Sequence, residues 1–475
     1  MKKLSFLIHA LSKEETDLIV KYYLMRNSYS KRLKLFNLIK MEGVGDDLEA
    51  SKRLYNRKPN AAFCQLKKRL NEDILNLLVA FDYQSEDPKD FISAEAQATK
   101  YVLQAKTLLK KGLNHEAISL LKKAFHLTEE HEAYEVQALA HAVLRAYSDE
   151  TIIEEVGELE RRFSRNVDTF YQLMNLRLDR KVTISSIKGS YEEEETDIGT
   201  KKKKQVKAQL PDSLRLKFQY ASKALEKFLE QGEYEQSLKL TENILPFIEN
   251  GDHALTSRQK AAFYLNLSKA FLGLHRYERS AFFGEKSAQL FASFEEKKVE
   301  AFLVVYKSYF YLNDLEKAKE VLQLCSDFGD FPNDTRGELS LFNAYHTFCE
   351  EDYRGSLKVL NSFFKQSKLD INLVLSGKLL ELLNLLEMQD YEWFDYKLEN
   401  FRKSVYYHAQ INLPERFSLI CKAFFSLKKF SYSKNQLKCH VTNNNWLTRL
   451  SETSGSCTWD PLGTELIPVH FWLTR

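Results

Sequence analysis

Proline and glycine are scarce in this chain, with 8 and 16 among 475 residues. Turn-rich β architectures use them at every corner and helix interiors exclude them, so their scarcity favours helix before any periodicity is read. Cysteine is sparse as well. Its six copies, Cys64, Cys325, Cys349, Cys421, Cys439 and Cys457, have no paired spacing. That excludes a disulfide framework and points to reduced thiols in a cytoplasmic protein. Charge of one sign is missing too: the formal balance is +3, which marks neither a nucleic-acid nor a membrane binder. No apolar run approaches the roughly 20 residues that cross a bilayer. The stretch Met1–Leu11 has the outline of a signal peptide, but it is short and contains His9. It also runs straight into Ser12-Lys13-Glu14-Glu15, where Ser12 and Glu15 form a capping-box pattern. The expectation is a soluble cytoplasmic protein.

Catalytic signatures are absent as well. Gly43-Val44-Gly45 lacks the third glycine and the flanking strand of a phosphate-binding turn, and neither a nucleophile elbow nor a His-Glu-x-x-His helix occurs. His126 and His131 lie five apart, which puts them on different faces of a helix. Cys439, His440, Cys457 and His470 fit no zinc-knuckle spacing. No residue is assigned to catalysis, a cofactor or a metal, and the chain is expected not to be an enzyme.

What is present is helical periodicity. Apolar residues at 44% and charged residues at 28% allow a core under a solvated surface, and the length calls for several units or one elongated array. Residues 1–91 read as a small helical domain. Its clearest helix follows Pro59, where Phe63, Leu66, Leu70, Ile74, Leu77 and Phe81 make one stripe. Helices are also expected at Thr16–Met25 and Ser30–Lys40, with Gly43–Asp47 as a turn. In 92–185 a helix pair is marked by Ala105, Gly112, Ala117 and Ala124. A long helix should follow, with Ile153, Val156, Phe163, Val167, Phe170 and Met174 on its seam. Residues 186–212, with Glu192–Glu195 and Lys201–Lys204, read as a charged linker.

From 213 to 430 the pattern is regular. Four turn motifs end at Ser280, Ala318, Ser356 and Phe394, each 38 residues after the last. Twelve positions earlier stand Ser268, Tyr306, Ala344 and Leu382; seven later stand Ser287, Cys325, Phe363 and Phe401. A fixed column of small and apolar residues at a constant period is the signature of stacked helical hairpins. An earlier, less regular copy centres on Tyr234 and Ser237. Residues 431–475 break the pattern. They hold three of the four Trp and the tetrad Trp-Leu-Thr-Arg twice, at 446–449 and 472–475. Without an apolar period this tail reads as foreign to the repeats or disordered, by a frame change or an appended segment, or else as a divergent extension.

The run Leu265-Asn266-Leu267-Ser268-Lys269-Ala270-Phe271-Leu272-Gly273-Leu274-His275-Arg276-Tyr277-Glu278 resembles the first helix and turn of a tetratricopeptide repeat (TPR). Ala105, Ala117 and Ala124 match its small positions. The period of 38 exceeds the usual ~34, and the late proline is missing from every copy, so the match is to a lengthened, degenerate repeat. The chain over about 1–430 also resembles a group of bacterial helical-repeat proteins. These open with a short helix and a turn like Leu11-Ser12-Lys13-Glu14-Glu15, and close in aromatic-rich helices like Tyr391-Glu392-Trp393-Phe394-Asp395-Tyr396. That resemblance brings no activity with it.

The implied fold is all-α, an α-α superhelix (a TPR-like solenoid) preceded by a small helical N-terminal domain. The resemblance puts first helices on the concave face, which makes Leu265, Asn266, Lys269, Leu303, Val304, Lys307, Phe342 and Tyr345 the candidate partner-binding residues. TPR proteins that clamp a peptide carboxylate use Lys, Asn and Arg there. Asn266 and Lys269 match in kind, but the next repeats offer Leu, Val, Phe and Tyr, so an apolar helix or extended peptide is the expected ligand. The expected function is a non-enzymatic adaptor or scaffold that binds a protein segment. The alternative is a nucleic-acid-associated regulator using the basic clusters Lys52, Arg53, Arg57, Lys58 and Lys67-Lys68-Arg69. Asp46, Asp47, Glu49, Glu72 and Asp73 lie close to those clusters and weaken that alternative.

Overall fold

The computed structural model describes residues 1–27, 29–81, 91–147, 153–178, 213–242, 244–250, 254–291, 295–326, 333–366, 369–408, 415–452, 455 and 457–474. The expected linker at 186–212 falls outside them. Among the described residues every regular element is a helix and no strand occurs. The chain divides into two compact units, 1–171 with 252–254, and 172–251 with 255–475.

The first unit opens with α1 (Lys2–Ala10), α2 (Lys13–Asn27), α3 (Lys31–Lys40), α4 (Asp47–Tyr55) and α5 (Ala61–Phe81). The Ser12 hydroxyl accepts from Glu15 N at 3.1 Å while Glu15 Oε2 accepts from Ser12 N at 2.6 Å, so the capping box closes. The α5 stripe buries Phe63, Leu70, Ile74 and Leu77 against Ile8, Ile19, Phe36 and Ile39. Residues 43–46 are non-helical, as the expected turn requires, and α4 begins at the turn's last residue, Asp47. Asp46 is the N-cap of α4, accepting from Leu48 N and Glu49 N.

Next come α6 (Phe91–Leu109), α7 (Asn114–Glu130), α8 (Tyr134–Tyr147) and α9 (Ile153–Leu178), the last belonging to this unit as far as Tyr171. Ala98, Ala105, Ala117 and Ala124 are fully buried in one core, and Gly112 takes the left-handed conformation at the turn between α6 and α7. The seam of α9 is rotated by about one residue from the apolar spacing. Leu159 is buried, Phe163 stacks on His141 at 4.2 Å and Asn166 bonds Gln137, while Val167 faces solvent. Polar partners, Asn166 with Gln137 and Arg162 with Glu129, fill part of that face and hide it from a hydrophobic count.

The second unit contains α10 (Leu214–Glu230), α11 (Tyr234–Glu242) and α12 (Leu245–Asn250), followed by four helix pairs. These are α13 (Ser257–Gly273) with α14 (Tyr277–Leu290), α15 (Glu295–Tyr311) with α16 (Leu315–Ser326), α17 (Asn333–Cys349) with α18 (Tyr353–Phe363), and α19 (Ile371–Glu387) with α20 (Tyr391–His408). First helices end at 273, 311, 349 and 387, and second helices begin at 277, 315, 353 and 391, so the 38-residue period is kept to the residue. The turns repeat as well. His275, Asn313, Glu351 and Gln389 all have φ between 58° and 63°, and the next amide bonds back five residues, as in Arg276 N to Phe271 O and Asp390 N to Leu385 O.

Packing explains the columns. Ser268, Tyr306, Ala344, Leu382, Ser280, Ala318, Ser356, Phe394, Ser287, Cys325, Phe363 and Phe401 are all at 0% exposure. Ser280 Oγ donates to Ser268 O at 2.9 Å and Ser287 Oγ to Ala261 O at 2.8 Å, so seven residues forward on one helix match seven back on the other. The paired helices are therefore antiparallel. In the first three pairs a small residue on at least one side allows close approach; hydroxyls there need partners when buried and find them in the facing backbone.

Helix α21 (Glu415–Leu427) and a 3-10 turn at Lys428–Phe430 follow, then α22 (Lys434–Asn443), α23 (Trp446–Ser451) and α24 (Val469–Thr474). Lost periodicity after Phe430 predicts a segment with few contacts. The structure instead packs Leu437, Val441, Leu450, Leu466, Val469 and Trp472 into the same core as α15–α21. Short helices and bends space those side chains unevenly, so no 3.6-residue stripe records their burial.

Candidate functional site

Four helices of the second unit, α10, α13, α15 and α17, line one cavity of about 620 Å³. Glu226, Leu229 and Glu230 come from α10; Asn266 and Lys269 from α13; Glu296, Glu300, Leu303, Val304 and Lys307 from α15; Thr335 and Glu338 from α17. Three of these helices are first members of consecutive pairs, so the 38-residue period sets side chains of corresponding positions next to each other. Asn266 and Val304, like Lys269 and Lys307, are one period apart.

Of the eight residues expected at a partner surface, Asn266, Lys269, Leu303, Val304 and Lys307 reach this cavity. Leu265, Phe342 and Tyr345 are instead buried in the core. Phe342 stacks on Tyr306 at 5.2 Å, and the Tyr345 hydroxyl donates to Ser376 O. Neither leaves a free face for a ligand.

Carboxylates dominate the lining, and spacing analysis of apolar residues does not find them. Glu226, Glu230, Glu296, Glu300 and Glu338 stand against Lys269 and Lys307. Glu300 and Glu338 occupy the same repeat position, one period apart, which is the signal that an inspection of charged columns would have picked up. Both lysines are engaged. Lys269 Nζ lies 2.6 Å from Glu300 Oε1, and Lys297 Nζ lies 2.7 Å from Glu300 Oε2. Burial pushes the Glu300 carboxyl up, but the two ammonium groups outweigh it and hold it below the usual range. Burial pushes Glu338 up, and Lys307 opposes this only in part. Partial burial, with Glu230 nearby, also raises Glu226, although Asn266 hydrogen-bonds to it. Lys307 is 6% exposed, and burial lowers its ammonium.

The remaining wall is Leu462, which belongs to the tail. Residues between α23 and α24 form a strap across the first helices. Lys307 Nζ donates to Leu462 O at 2.5 Å and Tyr311 Oη to Pro461 O at 3.3 Å. Ser376 and Thr464 share a hydrogen bond of 2.8 Å. Trp459 stacks on His275 at 5.7 Å, meets Tyr311 edge-on at 5.3 Å, and donates to Glu465 O at 2.8 Å. Glu465 pairs with Arg416 through both carboxylate oxygens, at 2.6 and 2.9 Å, and Arg416 also donates to Leu450 O and Cys457 O. Trp472 Nε1 donates to Glu387 at 2.7 Å.

In the first unit, the basic clusters sit among acids. Arg53 reaches Glu42 and Glu49, Lys67 reaches Asp47 at 2.7 Å, and Lys68 lies 3.9 Å from Glu72. Among the described residues no group of three or more His, Cys, Asp or Glu is placed to hold a metal ion. No helix among them is long and apolar enough to cross a membrane. Compared with known proteins, the chain matches no family model and none of the curated proteins.

Proposed function

We propose that this chain is a non-enzymatic adaptor or scaffold of the bacterial cytoplasm, a TPR-like solenoid whose first helices hold a segment of another protein. The supporting observation is the strap. Lys307 and Tyr311 bind the main-chain carbonyls of Leu462 and Pro461, which is how a surface accepts a peptide largely independently of its side chains. The cavity beside Leu462 continues that surface towards α10, and its carboxylates outnumber its lysines five to two. Lys269 is committed to Glu300, which leaves no carboxylate clamp; the segment that fits carries Lys or Arg. The alternative, nucleic-acid contact through the first unit, has less behind it, because Arg53, Lys67 and Lys68 already face carboxylates.

A photo-crosslinking residue in place of Thr335 of the full chain should capture a protein. A peptide of the captured segment should then bind in fluorescence anisotropy and lose roughly tenfold in affinity to the Glu338→Lys variant. Crosslinks confined to the chain itself, or a peptide indifferent to Glu338, would end this reading.

A further inference from the structure

A second surface of the same unit has the opposite charge and shares no residue with the cavity. It is a slot of about 460 Å³ lined from α20 and α21, with Trp446 of α23 among its walls. Helical spacing builds it. Arg402 and Tyr406 lie one turn apart on α20, while Lys422, Phe425 and Lys429 recur at steps of three and four along α21 and the turn after it. Its floor is uncharged. Val405, Phe425 and Trp446 are joined there by Cys421, whose thiol burial pushes up to about 11, keeping it protonated at neutral pH. None of the described residues lining the slot is a carboxylate, and three are cations. The Arg402 guanidinium lies 5.7 Å from the Phe425 ring and is held there by Glu399 at 2.9 Å.

One aromatic wall of the slot, Tyr406, is open to solvent. Trp393, Tyr396, Tyr406 and Tyr407 are between 56% and 79% exposed, all on one helix. The corresponding second helix α18 exposes no large hydrophobic side chain among its described residues. An exposed ring beside cations, as Tyr406 is beside Arg402 and Lys422, suits a contact surface, where large rings supply most of the binding energy.

We propose that the slot is a second docking site, for an acidic protein segment that inserts one bulky aromatic side chain between flanking carboxylates. The uncharged floor takes the ring; Lys422 and Lys429 meet the carboxylates. This goes beyond the reading of the first-helix cavity, and neither depends on the other. A nucleic-acid strand fits less well, because Glu399 and Glu415 confine the positive charge to a short stretch that suits a few carboxylates and not an extended phosphate track.

The test uses the full chain and a fluorescein-labelled peptide with a single tryptophan flanked on each side by two aspartates. Anisotropy should report saturable binding that weakens at least about tenfold in the Lys422→Glu/Lys429→Glu double variant, and as much when alanine replaces the peptide's tryptophan. Both lysines are exposed, so the variant should keep the parent's melting temperature, and Glu338→Lys in the other cavity should leave binding unchanged. Four results would overturn the proposal: no saturable binding, equal binding by the double variant, tighter binding of a twelve-residue oligothymidylate lost in the same variant, or concentration-dependent self-association abolished by it. The third would make the slot a nucleic-acid surface, and the fourth a contact between copies.

Discussion

Ser280 and Ser356 stand two repeat periods apart and make the same pair of hydrogen bonds. Ser280 Oγ donates to Ser268 O and receives Ser308 Oγ at 2.8 Å; Ser356 Oγ donates to Ala344 O and receives Asn384 Nδ2 at 3.0 Å. In both cases the serine ties its own helix pair together and accepts from the first helix of the next. All of these groups are fully buried; Ser308 has Val304 O as a second acceptor, but deleting the Ser356 hydroxyl strands one N–H of Asn384, whose other N–H keeps Leu380 O. Asn384 is already strained in this respect, since its Oδ1 has no partner. Ser356→Ala should therefore cost about 1–3 kcal/mol. A denaturant midpoint equal to the parent's would mean that the pairing carries no energy.

The left-handed turn residues offer a change in the other direction. His275, Asn313, Glu351 and Gln389 adopt a conformation that disfavours a Cβ, where Gly112 and Gly232 hold the related turns without strain. Replacing Glu351 by glycine should stabilise by up to about 1 kcal/mol, the relief of strain exceeding the added unfolded-state entropy. The reciprocal Gly232→Ala should destabilise by a similar amount. Paired thermal melts decide this, and a stabilising Gly232→Ala would contradict the turn geometry.

Regularity decided what could be read in advance. The helix pairs were legible because Ser268, Tyr306, Ala344 and Leu382 must all solve the same packing problem, and a shared problem leaves a period of 38. The seam of α9 was misplaced by a residue because Asn166 and Arg162 bury polar contacts where an apolar count finds nothing. Five of the eight expected surface residues meet at one cavity, but its dominant chemistry comes from Glu226, Glu230, Glu296, Glu300 and Glu338, which periodicity treats as solvated surface. The strap was illegible for a different reason. Tyr311 and Pro461 are 150 residues apart, and Tyr311 recognises a carbonyl oxygen that every residue has.

The strap depends on one buried ion pair. Arg416 and Glu465 are 4% and 5% exposed, and the guanidinium reaches Glu465, Leu450 O, Cys457 O and His470 Nδ1, all beyond Phe430. Removing one partner of a buried pair strands the other, so Glu465→Ala should cost about 3–5 kcal/mol. Truncation at Phe430 removes all of those contacts together with the burial of Trp459 and Trp472, and should lower the melting temperature by several degrees. An unchanged melt for 1–430 would mean that the tail is not seated on the repeats.

Acid should loosen the same strap through His470. This imidazole is 7% exposed, and its Nδ1 lies 3.4 Å from Arg416 Nη2, which places an acceptor beside a cation. Burial first, and the Arg416 charge second, push its pKa down from 6.5 to about 4. The unfolded chain therefore takes up a proton near pH 6.5 while the folded chain declines it until about pH 4. The stabilising contribution of neutral His470 is complete above pH 6.5, falls as pH drops through that window, and levels off below pH 4 once both states are protonated. The full loss amounts to about 3 kcal/mol. Trp459 and Trp472 report the outcome, since both are buried with the strap seated. Stability measured by tryptophan fluorescence should fall between pH 6.5 and 4 in the parent, and His470→Phe should remove most of that slope. A slope unchanged by the substitution would place the acid sensitivity elsewhere, with the carboxylates that ordinarily govern it.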